Sequence, residues 1–340
     1  MTIQTLAKHA FVGAAFLTAS YTTACAEEEG RVSTMTPFEP GDILVAATVM
    51  DNPDDDHAGT GRLIQYDVDL NEKGVLWIEG TTHKIGGMTF SPDKVLYGFA
   101  QLTPQMLEVD SATGKQLPLR NFDDHRSFSS ITFGKDGSYY LGEHLMGTDT
   151  SNPMVTTKFN LLPGRDVIGD GHVFRYAADG TFMQEYNTKA GGGLGPMLAV
   201  TTTILTDDDT RMIYTSETGQ KVMQYDLVND QQLPDLANFE DHERVGMVLN
   251  VSPLSEGRMM FSTGASIVVL DDTTGEFIRD YAFETYGWAA LAPSIDGEHI
   301  IVGNFMDGEF IKVRLSDGEI VKRNNIGQRE SLSGVVQFPG

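Results

Sequence analysis

The side chains best suited to chemistry in this 340-residue chain are three histidines and a scatter of carboxylates. His125 lies in NFDDHR (Asn121 to Arg126) and His242 in NFEDHER (Asn238 to Arg244); His83 occupies a matching position in another link. Glu143, His144, Glu217 and Asn304 sit at or just beyond the ends of short apolar segments. If these groups converge with the three histidines, imidazole and carboxylate together suit a Zn, Mn or Ca ion, or a general base beside a metal. The repeated Asn-Phe-acid-Asp-His also has a structural reading, in which Phe122 and Phe239 wedge between neighbouring elements and the Asp caps backbone amides.

Asp51, Asp54, Asp55 and Asp56, followed by His57, form the densest acidic run, a candidate calcium loop without the D-x-D-x-D-G order of an EF-hand. Tyr286 and Trp288 offer aromatic faces that would stack on a sugar or pack between elements. Gly191 to Pro196 is glycine-rich, but it precedes a strand and has no following Lys-Ser/Thr, so it reads as a tight crossing. There is no Gly-x-Ser-x-Gly, no His-Glu-x-x-His and no Walker pattern, so neither the common hydrolase signatures nor a nucleotide cofactor is expected.

Composition narrows the partners. With 24 Lys plus Arg against 48 Asp plus Glu, the formal charge is −24. Nucleic acid is therefore not an expected partner, because binding it requires a basic face. Residues 1–26 read as a signal peptide: Lys8, an apolar core from Ala10 to Ala19, and an Ala24-Cys25-Ala26 cleavage site. The expectation is a periplasmic or extracellular protein, with lipid anchoring at Cys25 as the alternative to soluble export. Cys25 is the only cysteine, so no disulfide, thiolate metal site or Cys-linked haem is expected. No other apolar run is long enough for a transmembrane helix.

The elements that must position these residues repeat. GGMTFSPDKVLYGFA with QMLEVDSATGKQLPL is one copy, and four more follow through SSITFGKDGSYYLGE, TTTILTDDDTRMIYTSE, VLNVSPLSEGRMMFST and AALAPSIDGEHIIVGN. Each holds four short strands joined by Asp-Gly, Pro-Asp or Thr-Gly turns, the makeup of a propeller blade. The C-terminal segment SGVVQF joins Ile43 to Val49, Arg62 to Val68 and Val75 to Gly80 as the sixth blade, closing the ring. The predicted fold is all-β: a six-bladed β-propeller over residues 42–340, preceded by an N-terminal linker at 27–41 and expected to be a monomer. Two long links, Met50 to Gly61 and Leu145 to Gly171, fall between second and third strands on the face where functional loops gather.

The Ser91-Pro92-Asp93 and Ile295-Asp296-Gly297 turns, the hairpin from Asp271 to Gly275, and Gly195-Pro196 resemble the bacterial secreted propellers of the YVTN, NHL and SMP-30 (gluconolactonase-like) group. The resemblance covers Asp42 to Gly340 and implies a fold shared by lactonases, lyases and binders. Lactonase-like members place an acidic metal ligand beside Gly-Pro at the start of an inner strand. This chain has Ile85-Gly86-Gly87 and Leu194-Gly195-Pro196 in those places. The leading expectation is a binding scaffold for a small molecule or a secreted or periplasmic protein. The alternative is a metal-dependent lactonase, hydrolase or sugar lyase at the channel mouth.

Overall fold

Aspartate turns cut this chain into short strands, none of those described longer than eight residues. Oδ1 of Asp296 accepts the amides of Glu298 and His299 at 2.9 and 3.0 Å, and Oδ1 of Asp271 accepts those of Thr273 and Thr274 at 3.0 and 2.7 Å. Asp67, Asp136, Asp179, Asp208 and Asp226 do the same in other blades, and Asp317 makes a second such turn in the blade of Asp296. A carboxylate that satisfies the amide two residues on reverses the backbone without help from tertiary packing.

The computed structural model describes residues 31–52, 59–80, 85–100, 105–122, 127–147, 169–191, 199–217, 219–242 and 245–340. Among these there is no helix, and six antiparallel sheets form the six expected blades, each running outward from an innermost strand. Blade 1 is Gly334–Gln337, Ile43–Met50, Gly59–Tyr66 and Glu72–Trp77. Val45 pairs with both Val335 and Ile64, so the C-terminal strand completes the N-terminal sheet as expected. Blade 2 begins Ile85–Phe90 and Leu96–Ala100; blade 3 begins Phe128–Phe133 and Tyr139–Glu143. Blades 4, 5 and 6 begin with Thr202–Leu205, Val251–Leu254 and Trp288–Pro293.

In blades 2 and 4 the outermost strand is split in two, as Lys115–Gln116 with Arg120–Asn121 and Gln231–Gln232 with Ala237–Asn238. Leu117-Pro118 and Leu233-Pro234 interrupt them, because proline has no amide to give the ladder.

The hydrophobic core is six cores, one at each junction between adjacent blades. Strand periodicity explains this division. Along Arg258–Ser262, Met259 and Phe261 face blade 4, while Met260 between them faces blade 6. A strand buried on both faces needs an unbroken apolar run, which is what MMF supplies.

Residues 33–42 lie along the ring. Thr34 and Met35 donate their amides to Val75 O at 2.7 and 3.0 Å, and Phe38 packs between Phe90 and Phe338 at ring distances of 6.1 and 5.6 Å. Buried Asp42 accepts Gln65 Nε2 at 2.6 Å and Lys73 Nζ at 2.9 Å. The segment expected as a linker is thus held against the junction of blades 1 and 2.

The first long link is shorter than the expected Met50 to Gly61, since pairing continues out to Met50 opposite Gly59. In the second, Met146–Gly147 pairs with Gly169–Asp170 as a small arm.

Candidate functional site

Antiparallel order puts the second-to-third and the outer-to-inner links on one face, here called the insertion face. A central channel of about 420 Å³ runs between the six inner strands, with residues from every blade in its wall. Hydroxyls supply much of its polarity, and several are committed to a neighbouring blade. Thr132 Oγ1 donates to Thr203 O at 2.7 Å, and Thr202 Oγ1 accepts the Val251 amide at 2.8 Å.

Just behind the wall, Ser129 Oγ donates to Val200 O at 2.7 Å, Thr215 Oγ1 to Leu249 O at 2.6 Å and Ser262 Oγ to Ala289 O at 2.8 Å, and in the wall itself Ser333 Oγ donates to Ile85 O at 2.7 Å. These bonds stitch blades 3 to 4, 4 to 5, 5 to 6 and 1 to 2. At the junction of blades 2 and 3 the backbones themselves meet: a Cβ on Gly87, whose φ is +57°, would stand 2.1 Å from Ser129 O. At the far mouth Lys135 donates its amide to Asp209 Oδ2 at 2.6 Å and its Nζ to Asp207 O.

None of the described candidate residues lines this channel. Glu143 is fully buried, and its Oε2 accepts the amides of Asp170 and Gly171 at 2.9 and 2.8 Å, closing the base of the arm. Asn304, also fully buried, accepts the Met306 amide at 2.8 Å and donates Nδ2 to Tyr286 O at 3.1 Å. Thr263 plays the same part in blade 5, its Oγ1 accepting the Ser266 amide at 2.9 Å. A polar acceptor at the end of a second strand is therefore a recurring device for turning the chain.

His144 and Glu217 are brought together across blades 3 and 4, with Nε2 3.4 Å from Oε2. His242 is at another junction, its ring 5.8 Å from that of Phe239 and stacked on Phe277 at 6.4 Å. The structural reading of the echo holds for its phenylalanines: Phe122 is in the core between blades 2 and 3, and Phe239 in that between blades 4 and 5. The cap in the second copy is the leading asparagine and not the expected aspartate: Asn238 Oδ1 accepts the Glu240 amide at 2.9 Å.

Trp288 is buried against Phe283 at 4.7 Å, with Nε1 donating to Thr285 Oγ1 at 3.2 Å. Tyr286 remains half exposed, and partial burial raises its phenol pKa. Asp51 is exposed at the tip of its hairpin. His83, His125, Asp54, Asp55 and Asp56 lie outside the described residues, as does Gly195-Pro196. Among the described residues no group of three His, Cys, Asp or Glu side chains is arranged to hold a metal ion. Sequence reading passed over Met247 and Met306, which flank Tyr286, because methionine on a surface link carries no motif.

No known family model and no curated protein matches this chain. Solved structures do. A chain of the crystal structure of the nidogen/laminin complex is 13% identical, with a TM-score of 0.59, covering 88% of this chain and 98% of its own. U3-55K and the RRP9 WD40 repeats, 11% and 12% identical with TM-scores of 0.48, each cover 71% of this chain. None of these places the chain in the YVTN, NHL or SMP-30 group; the nidogen/laminin likeness is one of fold, that of a six-bladed β-propeller.

Proposed function

We propose that this protein is an exported binding scaffold that engages a small ligand or a protein partner through its insertion face. One observation carries the reading: both long second-to-third links leave this face as paired β-arms. The first is paired out to Met50 and Gly59, and the second is stapled at its base by Glu143. Arm bases held by backbone ladders on a rigid ring need little ordering of their own on binding. Glu143 and Asn304, two of the residues on which catalysis would rest, spend oxygens on backbone amides instead. The nidogen/laminin structure is itself a protein–protein assembly, which favours a protein over a small molecule.

Export is tested by N-terminal sequencing of protein secreted from a bacterial host. Cleavage before Glu27 is expected, and an uncleaved cytoplasmic product would sink that part. For binding, partners captured from the exported fraction are purified and titrated against wild type and against a variant whose residues 51–58 are replaced by a tight Asn-Gly turn. Lost affinity at unchanged melting temperature supports the face; unchanged affinity, repeated with the second arm shortened, removes it.

A further inference from the structure

Tyr286, Met247 and Met306 form a pre-shaped apolar patch on the insertion face, where blade 6 begins. Tyr286 OH donates to Met247 Sδ at 3.3 Å. Its ring lies over Gly264, where any Cβ would stand 2.7 Å from Tyr286 Cε2 and displace it. On the other side Met306 fills the space that a side chain at Gly287 would take, its Cγ 2.6 Å from that position. Asn304 sets both neighbours, holding Tyr286 O through Nδ2 and the Met306 amide through Oδ1. Yet Tyr286 and Met306 remain 50% and 40% exposed. An aromatic ring fixed in place beside adaptable thioethers is the composition of an interface hot spot.

The chain on either side of the patch residues is acidic. Glu284 is two residues before Tyr286, Asp307 follows Met306, and Glu330 donates its amide to Met306 O at 3.4 Å. Against these three carboxylates stands Arg329 beside Glu330, in a chain of net charge −24. We infer that this patch is the anchor point for a basic, apolar segment of a protein partner, an aliphatic or aromatic side chain seated on Tyr286 and the methionines with a neighbouring Lys or Arg facing the carboxylates. Cation–π contact with the exposed ring adds to the same selectivity. The inference rests on the binding-scaffold reading and narrows its partner class.

The test is selection of random linear peptides displayed on phage against the wild-type protein, followed by titration of the enriched peptides as synthetic molecules. The expected result is enrichment of Lys or Arg next to Leu, Ile or Phe, with affinity that weakens as salt rises. It should also fall by about tenfold or more in both Tyr286→Ala and Met306→Lys, the scale of a lost anchor. Met306→Lys alters an exposed side chain and keeps the test valid should Tyr286→Ala unfold.

Acidic or neutral winners, or no winners, overturn the proposal. Peptides that bind both variants like wild type but fail on the arm variants overturn it while leaving the insertion-face reading intact; peptides indifferent to every variant defeat both. A dimer in size-exclusion chromatography with light scattering that dissociates in Met306→Lys would make the occupant a second copy, and that too overturns it.

Discussion

Glu143 and Gly171 are 28 residues apart in sequence and joined by a 2.8 Å hydrogen bond from the glycine amide to a fully buried carboxylate. The same oxygen takes the Asp170 amide at 2.9 Å, so one side chain ties the second strand of blade 3 to the returning limb of the longest link.

Replacing Glu143 with alanine removes both bonds and leaves their donors short of a partner. Bonds to charged acceptors contribute about 1.5–3 kcal/mol each, so Glu143→Ala should cost on that order or somewhat more. Chemical denaturation should show the loss, and hydrogen exchange should show protection falling first at Asp170 and Gly171. Unchanged exchange there would mean that the arm is held by other contacts.

Gly87 meets Ser129 O so closely that Gly87→Ala must push blades 2 and 3 apart as well as force a positive φ on alanine. A loss of about 3 kcal/mol or more is expected, well above an ordinary surface change. Gly297→Ala, at a φ of +70° but with nothing within 4 Å of the added Cβ, isolates the backbone term and should cost about 1 kcal/mol. Equal losses at the two sites would refute the crowding at Gly87.

Acid should unfold the protein through its turns. The Thr210 hydroxyl, followed by that of Thr206, holds Asp208 down at about 2. Asp136 is lowered by the Ser138 hydroxyl, Asp226 by the Asn229 side chain and Asp271 chiefly by the Thr274 amide. A carboxyl whose folded pKa lies below its unfolded value of 3.8 stabilises the fold above that value and stops doing so as pH falls through the folded pKa. Relief of self-repulsion in a chain of charge −24 acts in the opposite sense at milder acidity. Melting temperature should therefore hold or rise slightly down to about pH 4 and drop steeply from there towards pH 2. The drop should be shallower in Asp208→Asn; a maximum near pH 2 would contradict the assignment.

Most of the architecture was legible because its causes are local. Asp-Gly and Pro-Asp turns, doubled apolar runs such as MMF, and an unpaired SGVVQF at the end together specify six closed blades. The site was less legible because a polar residue at a strand end has two uses that look alike in sequence. Glu143 and Asn304 read as ligands, yet each accepts amides in a turn, as Thr263 does with no suggestion of chemistry. The NF(D/E)DH echo split similarly: its phenylalanines are core, and His242 stacks on Phe277 in place of joining His144 and Glu217. Which side chains of different blades meet depends on ring geometry, which no single repeat encodes.

Loss of the closing strand should be felt far from it. Truncation before Ser331 removes the partner of Ile43 to Ala46 and deletes Leu332 and Val335 from the core between blades 6 and 1. The truncated chain should lose the single sharp unfolding transition and aggregate through its bared edge. A folded monomer with a normal transition would show that the ring does not need its clasp.

The sharing of each core by two blades bears on how such a ring can change its size. No blade owns a core, so excising one exposes two half-cores that were shaped for the missing neighbour and not for each other. The Ser129, Thr215, Ser262 and Ser333 hydroxyls are likewise spaced for six steps around a circle. Blade number is thus fixed by packing on both sides of every blade, whereas a link between strands can change length without reshaping any core.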